Sequence, residues 1–257
     1  MRAFTDDDLT RDAFLGGRLE LLQPRSGYRA GIDPVLLAAS VALRPGLSVL
    51  ELGCGAGAAL FCLAIRGAGL QLSGVELQPA YADLARRNAA DNGIEAEIVT
   101  ADIDALPDDL RQQRFDVILA NPPYFRAGAH SPASDNGRQL ALGETATPLV
   151  RWIEVAARRL APKGYLHMIQ RVDRLPEMLT ACEGRLGSPE ILPLAARAGR
   201  AADLVILRAR KGGRAALRLH APVILHDGAR HERDGDSFGA HISAVLREGV
   251  ALDWPAA

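Results

Sequence analysis

The sequence has few cysteines: Cys54, Cys62 and Cys182 in 257 residues. The number is odd, no C-x-x-C occurs, and no His–Cys group has zinc-ligand spacing. That excludes a disulfide scaffold and a zinc knuckle, and points to a reducing, cytoplasmic compartment. Long apolar runs are missing too. The nearest candidate, Val35 to Leu43, falls well short of the roughly 18 residues that a membrane helix needs. No secretory signal is expected at the start, where Asp6, Asp7 and Asp8 stand instead of an apolar stretch. Lysine is almost absent: Lys163 and Lys211 stand beside 28 arginines, a bias that fits a GC-rich coding sequence. Net charge is only −1, which excludes a uniformly basic nucleic-acid binder but not a local basic face.

What is there is ordinary for a globular chain: 48% apolar and 24% charged residues. The length fits one α/β domain with extensions, or at most two small domains. Charge is segregated along it. Gly74 to Asp116 holds ten acids against four arginines, a net of −6. Leu194 to Arg218 holds six arginines and Lys211 against Asp203, a net of +6. A solvated face explains such segments; an anionic partner near the C-terminal part is the sharper reading.

Apolar runs alternate with helical periods. Leu47 to Leu52, Leu70 to Val75, Glu95 to Thr100 and Phe115 to Ala120 read as strands. Ala58 to Arg66 and the stretch from Pro79 to Asn92 read as the helices between the first three. Thr147 to Leu160 and Asp173 to Glu183 are further helices around a strand at Gly164 to Gln170. Glu190 to Leu194 and Leu204 to Arg210 read as two last strands, and Leu217 to Leu225 either extends the sheet or folds over it. Asp236 to Arg247 looks like a terminal helix. Before the first core strand stand a small strand or hairpin (Arg18 to Gln23) and a helix (Asp33 to Val41). The pattern predicts an α/β fold with a mostly parallel sheet covered on both faces. Arg126 to Gly143 has no clear period and reads as a long loop.

Two motifs carry chemistry. Glu51-Leu52-Gly53-Cys54-Gly55-Ala56-Gly57 follows the first core strand. Glycines there let a ligand approach the backbone closely, and the carboxyl ends of such strands are where ligands bind. Gly53, Gly55 and Ala58 also satisfy G-x-G-x-x-A, so the turn alone says only that a nucleoside-containing cofactor binds. Glu76, ending the second strand, suits ribose hydroxyls in either case. Glu51 favours S-adenosylmethionine, whose amino-acid end is cationic; a pyrophosphate would be repelled. Asp102 follows the third strand, placed either to accept from an adenine amino group or to cap the next turn.

The second motif is Asn121-Pro122-Pro123-Tyr124, directly after the fourth strand. It resembles the N-P-P-Y signature of methyltransferases that act on amino groups conjugated to a π-system. Such a nitrogen is a poor nucleophile because its lone pair is delocalised. Two acceptors aimed at its hydrogens, the Asn121 side-chain oxygen and the Pro122 carbonyl, draw electron density back to it. The prolines stiffen the turn, and Tyr124 offers a face for an extruded base. No general base is required, because the methylated nitrogen is acidic enough to lose its proton late. None of the six histidines is assigned to catalysis, and no metal is expected.

With Phe14-Leu15-Gly16-Gly17-Arg18-Leu19, Gly27-Tyr28-Arg29-Ala30-Gly31-Ile32-Asp33, the glycine turn, Asn121 to Phe125 and Val223 to Gly228, the chain resembles the bacterial tRNA1(Val) (adenine-N6)-methyltransferases. The resemblance implies a Rossmann-like class I methyltransferase with a mostly parallel seven-stranded sheet and a small N-terminal extension. It also implies methylation of the adenine 3′ of the anticodon in a valine tRNA. It further implies that Gly31 and Asp33 help to close the cofactor pocket; Asp33 reads equally as the N-cap of its helix. Residues 1–45 are expected to cap that pocket and residues 46–257 to form the methyltransferase domain. Guanine-N2 rRNA and glutamine-N5 protein methyltransferases share the motif and are the alternatives, with a non-catalytic cofactor-binding RNA module as a third. The RNA face is expected at Arg126, Arg208, Arg210, Lys211 and Arg214, within or near the basic segment. Arg18, Arg25 and Arg29 are the fallback.

Overall fold

The computed structural model describes residues 2–124, 147–228 and 237–254. The chain opens with a hairpin, β1 (Leu9–Phe14) and β2 (Leu19–Pro24), whose strands pair antiparallel. Then come α1 (Asp33–Ala39), β3 (Ser48–Leu52), α2 (Ala58–Arg66), β4 (Gln71–Glu76), α3 (Pro79–Asp91) and β5 (Glu97–Thr100). A short α4 (Asp108–Gln112) precedes β6 (Phe115–Ala120). Beyond it lie α5 (Leu149–Arg159), β7 (Leu160–Arg171), α6 (Leu175–Cys182), β8 (Gly187–Ala195) and β9 (Ala202–Arg210). The two-residue strands β10 (Arg218–Leu219) and β11 (Val223–Ile224) and the helix α7 (Ala240–Glu248) follow.

Seven principal strands form the main sheet in the order β8–β9–β7–β6–β3–β4–β5. All but β9 point the same way; β9 runs antiparallel between β7 and β8. The expected seven-stranded, mostly parallel sheet is present, and β10 and β11 add to it as short parallel partners of β8. The uncertain stretch from Leu217 to Leu225 therefore extends the sheet.

The alternation of side chains across each strand sorts the core into two layers. Val49, Val117 and Leu119 face a cluster built with α1, α2, α3 and α7. Leu50, Leu52, Ile118 and Ala120 face a second one built with α4, α5 and α6. With apolar groups wanted on both faces, β3 and β6 are nearly continuous hydrophobic runs.

Leu15, Leu19 and Leu21 of the N-terminal segment belong to the first cluster. Fully buried Asn88 of α3 ties that segment down. Its side chain accepts from the Leu22 N–H at 2.8 Å and donates to the Leu22 and Ala56 carbonyls at 3.1 and 3.0 Å. The other end of the described chain is tied to α1: the Leu252 N–H donates to the Ala39 carbonyl (2.9 Å) and the Trp254 indole to the Ser40 carbonyl (2.8 Å). His167 lies under this contact, 2.9 Å from the Ser40 hydroxyl, and burial pushes its pKa down to about 3. It is a neutral packing residue.

Candidate active site

Because β3, β4 and β6 end at the same edge of the sheet, the segments that leave them converge. They surround a cavity of about 810 Å³. Gly31, Asp33, Glu51, Gly53, Gly55, Glu76, Asp102, Asn121, Pro122, Pro123 and Tyr124 all line it. Gly57 does not. It precedes α2 at φ +92°, and a Cβ there would stand 2.1 Å from the Phe61 ring. Its smallness serves packing under the turn rather than access of a ligand.

Two buried carboxylates hold the glycine turn in shape. Glu51 Oε2 accepts the Leu60 N–H at 2.9 Å, in the first turn of α2, where backbone donors have no partners within the helix. Burial pushes the Glu51 carboxyl up to about 8; the Leu60 N–H opposes the shift and the Glu76 charge adds to it. Glu76 spreads over the turn, accepting from the Gly55 N–H at 2.9 Å and the Gln78 N–H at 2.8 Å. Burial raises its pKa as well, against those donors. Asp102 accepts from the Asp104 N–H at 2.9 Å, so it caps the short turn at 103–105 while lining the cavity.

The second motif is held differently. Pro122 and Pro123 carry no N–H. Their carbonyls accept from the Gln170 side-chain amide of β7 at 3.2 and 3.3 Å. The Tyr124 hydroxyl donates to Asp33 Oδ2 at 2.6 Å. Burial is the main reason that the Asp33 carboxyl lies above its usual value; the bond from Tyr124 opposes it. The N-cap reading of Asp33 does not hold. The helix begins at Asp33 itself, and its carboxylate is spent on Tyr124 across 91 positions of sequence.

Some pocket residues have no role in the sequence reading, although Tyr28 stands within its Gly27–Asp33 segment. Tyr81 and Tyr28 interlock, the Tyr81 hydroxyl accepting from the Tyr28 N–H (2.9 Å) and donating to the Tyr28 carbonyl (3.2 Å). Trp152 of α5 packs on Gly53 so closely that a Cβ there would lie 2.6 Å from its ring. All three line the cavity. Nothing in local spacing marks Tyr81 or Trp152, since each reaches the site from a separate helix.

The basic segment is placed unexpectedly. In the antiparallel β9, Arg208 lies opposite His167 and Arg210 opposite Tyr165, which is level with Val117. Arg210 is therefore four residues short of Asn121, about 13 Å along the strand direction, toward the far end of the sheet. The Lys211 N–H donates to the Gly164 carbonyl at that far end, and its ammonium donates to the Ala157 carbonyl at 2.7 Å. Arg208 is engaged by Glu190 at 2.7 Å and lies 4.2 Å over the Trp254 ring. Arg214 follows in the next exposed turn. The strand direction takes Arg210, Lys211 and Arg214 toward the far end of the sheet, whereas Arg208 is level with Leu119, two residues short of Asn121. Arg126 lies outside the described residues. Arg25 and Arg29 are exposed and line the cavity rim.

The residues present fit an adenosine-type ligand with a cationic end. Two buried acids, Glu51 and Glu76, face the cavity, glycines with φ of +65° and +55° (Gly53 and Gly55) open the turn, and, among the described residues, Gln78 Oε1 is buried without a hydrogen-bond partner beside Glu76. Among the described residues, no group of three His, Cys, Asp or Glu could hold a metal ion, and no helix is long and apolar enough to cross a membrane.

A family model described as a methyltransferase domain matches residues 43–192. A Porphyromonas gingivalis protein named tRNA1(Val) (adenine(37)-N6)-methyltransferase is 35% identical over 189 residues, covering 70% of this chain and 73% of that one. A Dickeya chrysanthemi protein of the same name is 30% identical, covering 74% and 75%. The crystal structure of a predicted O-methyltransferase from Agrobacterium tumefaciens superposes with a TM-score of 0.69 at 27% identity, covering 85% of this chain and 97% of that one. A 16S rRNA guanine-N2 methyltransferase from T. thermophilus shares the fold at a TM-score of 0.53 and 23% identity, covering 79% and 50%.

Proposed function

The chain belongs to the family of tRNA1(Val) (adenine(37)-N6)-methyltransferases, and on that premise we propose that it methylates the exocyclic N6 of adenine 37 in a valine tRNA. The observation that carries the reading is the shared cavity: the acid–glycine turn and the N-P-P-Y turn open onto one space.

When bound, S-adenosylmethionine supplies a methyl group on a positively charged sulfur, an electrophile that needs no further activation. We assign Glu51 to its cationic amino-acid end, Glu76 to the ribose, and Asp102 to the adenine edge. Gly53 and Gly55 allow close approach, and Gly31 and Asp33 close the pocket from the N-terminal side. Residues 1–45 act as its cap, and residues 46–257 as the transferring domain.

Asn121 and the Pro122 carbonyl accept the two hydrogens of the substrate amine, and that polarisation raises the nucleophilicity of nitrogen. Tyr124 stacks on the base, which leaves its own stack to reach the cavity. Stacking of this kind contributes roughly 1–3 kcal/mol. The departing proton needs no dedicated acceptor.

Phosphate contacts belong at the rim that the base must cross. Arg25 and Arg29 take that role here, with Arg126 on the segment that follows Tyr124; the turn at 210–214 is too far along the sheet. Such contacts position the RNA without reading sequence. A tRNA substrate places the enzyme in the cytoplasm. Mass spectrometry of nucleosides from valine tRNA, with and without the gene, tests the reading. Loss of N6-methyladenosine is expected; an unchanged profile would sink it.

A further inference from the structure

We infer that Gln170 is a positioning residue for methyl transfer, a clamp that fixes the carbonyls of the N-P-P-Y turn. The inference rests on the proposed function, because it gives the Pro122 carbonyl its purpose.

The need for a clamp follows from composition. A turn with two successive prolines has lost two backbone donors, so it cannot brace itself through N–H groups at those positions. Its carbonyls must be satisfied from elsewhere. The strand register supplies the source. Ala120 pairs with Met168, so Gln170, two residues further on β7, stands beside residue 122. The side chain is fully buried and pairs through its backbone with Val205 of β9 on the other side.

The orientation of the amide is determined. Gln170 Oε1 accepts the Arg171 N–H at 2.9 Å, so the NH₂ end must face the prolines. It donates to the Pro122 carbonyl at 3.2 Å and the Pro123 carbonyl at 3.3 Å. A carbonyl oxygen has two acceptor sites. Gln170 occupies one on Pro122 and leaves the other for an amine in the cavity. A loosely held carbonyl would meet the amine over a spread of angles, and hydrogen bonds weaken steeply as they bend. Gln170 thus acts on the rate of transfer through Pro122, without touching the substrate.

Two variants test this. In Gln170→Glu, a protonated carboxyl keeps the polarity of the pattern: one oxygen accepts from Arg171 and the single O–H donates to one proline carbonyl. Once ionised it offers only acceptors to two carbonyl oxygens. The variant should therefore show a new limb in its kcat–pH profile, with kcat near wild type at low pH and falling as pH rises. Wild type should lack that limb. Gln170→Leu should lose about tenfold in kcat at every pH, the equivalent of one neutral hydrogen bond. For Gln170→Leu at every pH, and for Gln170→Glu at the low-pH end, the tRNA KM and the calorimetric cofactor affinity should stay within about twofold of wild type. Should Gln170→Leu fail to fold, the pH limb of Gln170→Glu still decides. A wild-type pH profile in Gln170→Glu, or cofactor affinity falling in step with kcat in Gln170→Leu, would overturn the clamp while leaving the methyltransferase reading intact. Wild-type enzyme that leaves valine tRNA unmethylated would overturn both.

Discussion

The two turns that meet in the cavity are built on opposite principles. The glycine turn after β3 offers free N–H groups, and acids at the strand ends gather donors in and around it: Glu76 takes Gly55 of the turn and Gln78 after β4, and Glu51 takes Leu60 in the first turn of α2. The N-P-P-Y turn after β6 has carbonyls and few donors. It is held from outside, by Gln170 from β7 and Asp33 from α1. One side of the site is organised by residues close to it in sequence, the other by residues 47 and 91 positions away. Damage to the first should therefore appear in cofactor binding and stability, and damage to the second in turnover.

The largest effect is expected on the acceptor side. Asn121→Ala should lower kcat by about 10²–10³-fold, by analogy with the loss of one preorganised oxyanion-hole donor, and leave cofactor affinity within about twofold. Calorimetry beside single-turnover kinetics checks this. A parallel loss of cofactor affinity would erase the distinction between the two turns.

Next comes a purely structural break on the donor side. Gly57→Ala forces a side chain to φ +92° and into the Phe61 ring at 2.1 Å. Urea denaturation should show destabilisation of about 2–4 kcal/mol from strain and overpacking.

Glu51 gives a subtler test. Burial puts its pKa at about 8 in the folded protein, against the ordinary 4.5. Between those values the folded state keeps a proton that the unfolded state has lost. The linkage relation then makes stability fall as pH rises through that window. Glu51→Gln removes the dependence, so the unliganded variant should melt several degrees higher than wild type at pH 7.5 and almost identically at pH 4. A cationic ligand reverses the preference, so wild type should release a proton on binding the cofactor, and the variant should not. Calorimetry in buffers of different ionisation enthalpy reads that proton.

The smallest effect is a predicted near-absence. Alanine at Arg210, Lys211 and Arg214 together should leave tRNA affinity and its salt slope almost unchanged, since the strand direction takes them away from the cavity. Arg25→Ala should flatten the slope by about 0.7–0.9 in log–log terms, one phosphate contact. The opposite pairing of results would move the RNA to the far end of the sheet.

These contrasts also explain what could be read from the chain alone. Ala58–Arg66 and Phe115–Ala120 were legible to the residue, because a buried strand and a Gly-bounded helix each carry their own pattern. That Glu51, Gly53, Gly55, Glu76 and Asp102 line one cavity was legible because motif and strand end are adjacent. Charge clustering records sequence neighbours and not strand direction, so it could not tell that β9 carries Arg210 toward the end of the sheet opposite the cavity. Gln170 was invisible. A glutamine ending an apolar strand looks like an ordinary boundary until the register sets it beside two prolines. The helix at 108–112 was missed although Pro107 and two aspartates announce its first turn.

The position of β9 has a consequence for the order in which the enzyme comes into being. Space and sequence disagree at that point: β9 follows β8 in the chain but lies inside it in the sheet. A nascent chain that has emerged only as far as Ala195 can already pair β3, β4, β5 and β6, and with them shape the cofactor turn. The outer edge of β7 then still exposes unpaired backbone groups, including those of Gln170 opposite Val205. Only when residues 202–210 arrive does that edge close and the strand carrying the clamp become interior. The growing protein thus shapes its glycine turn before the strand that braces the N-P-P-Y turn is locked between two neighbours.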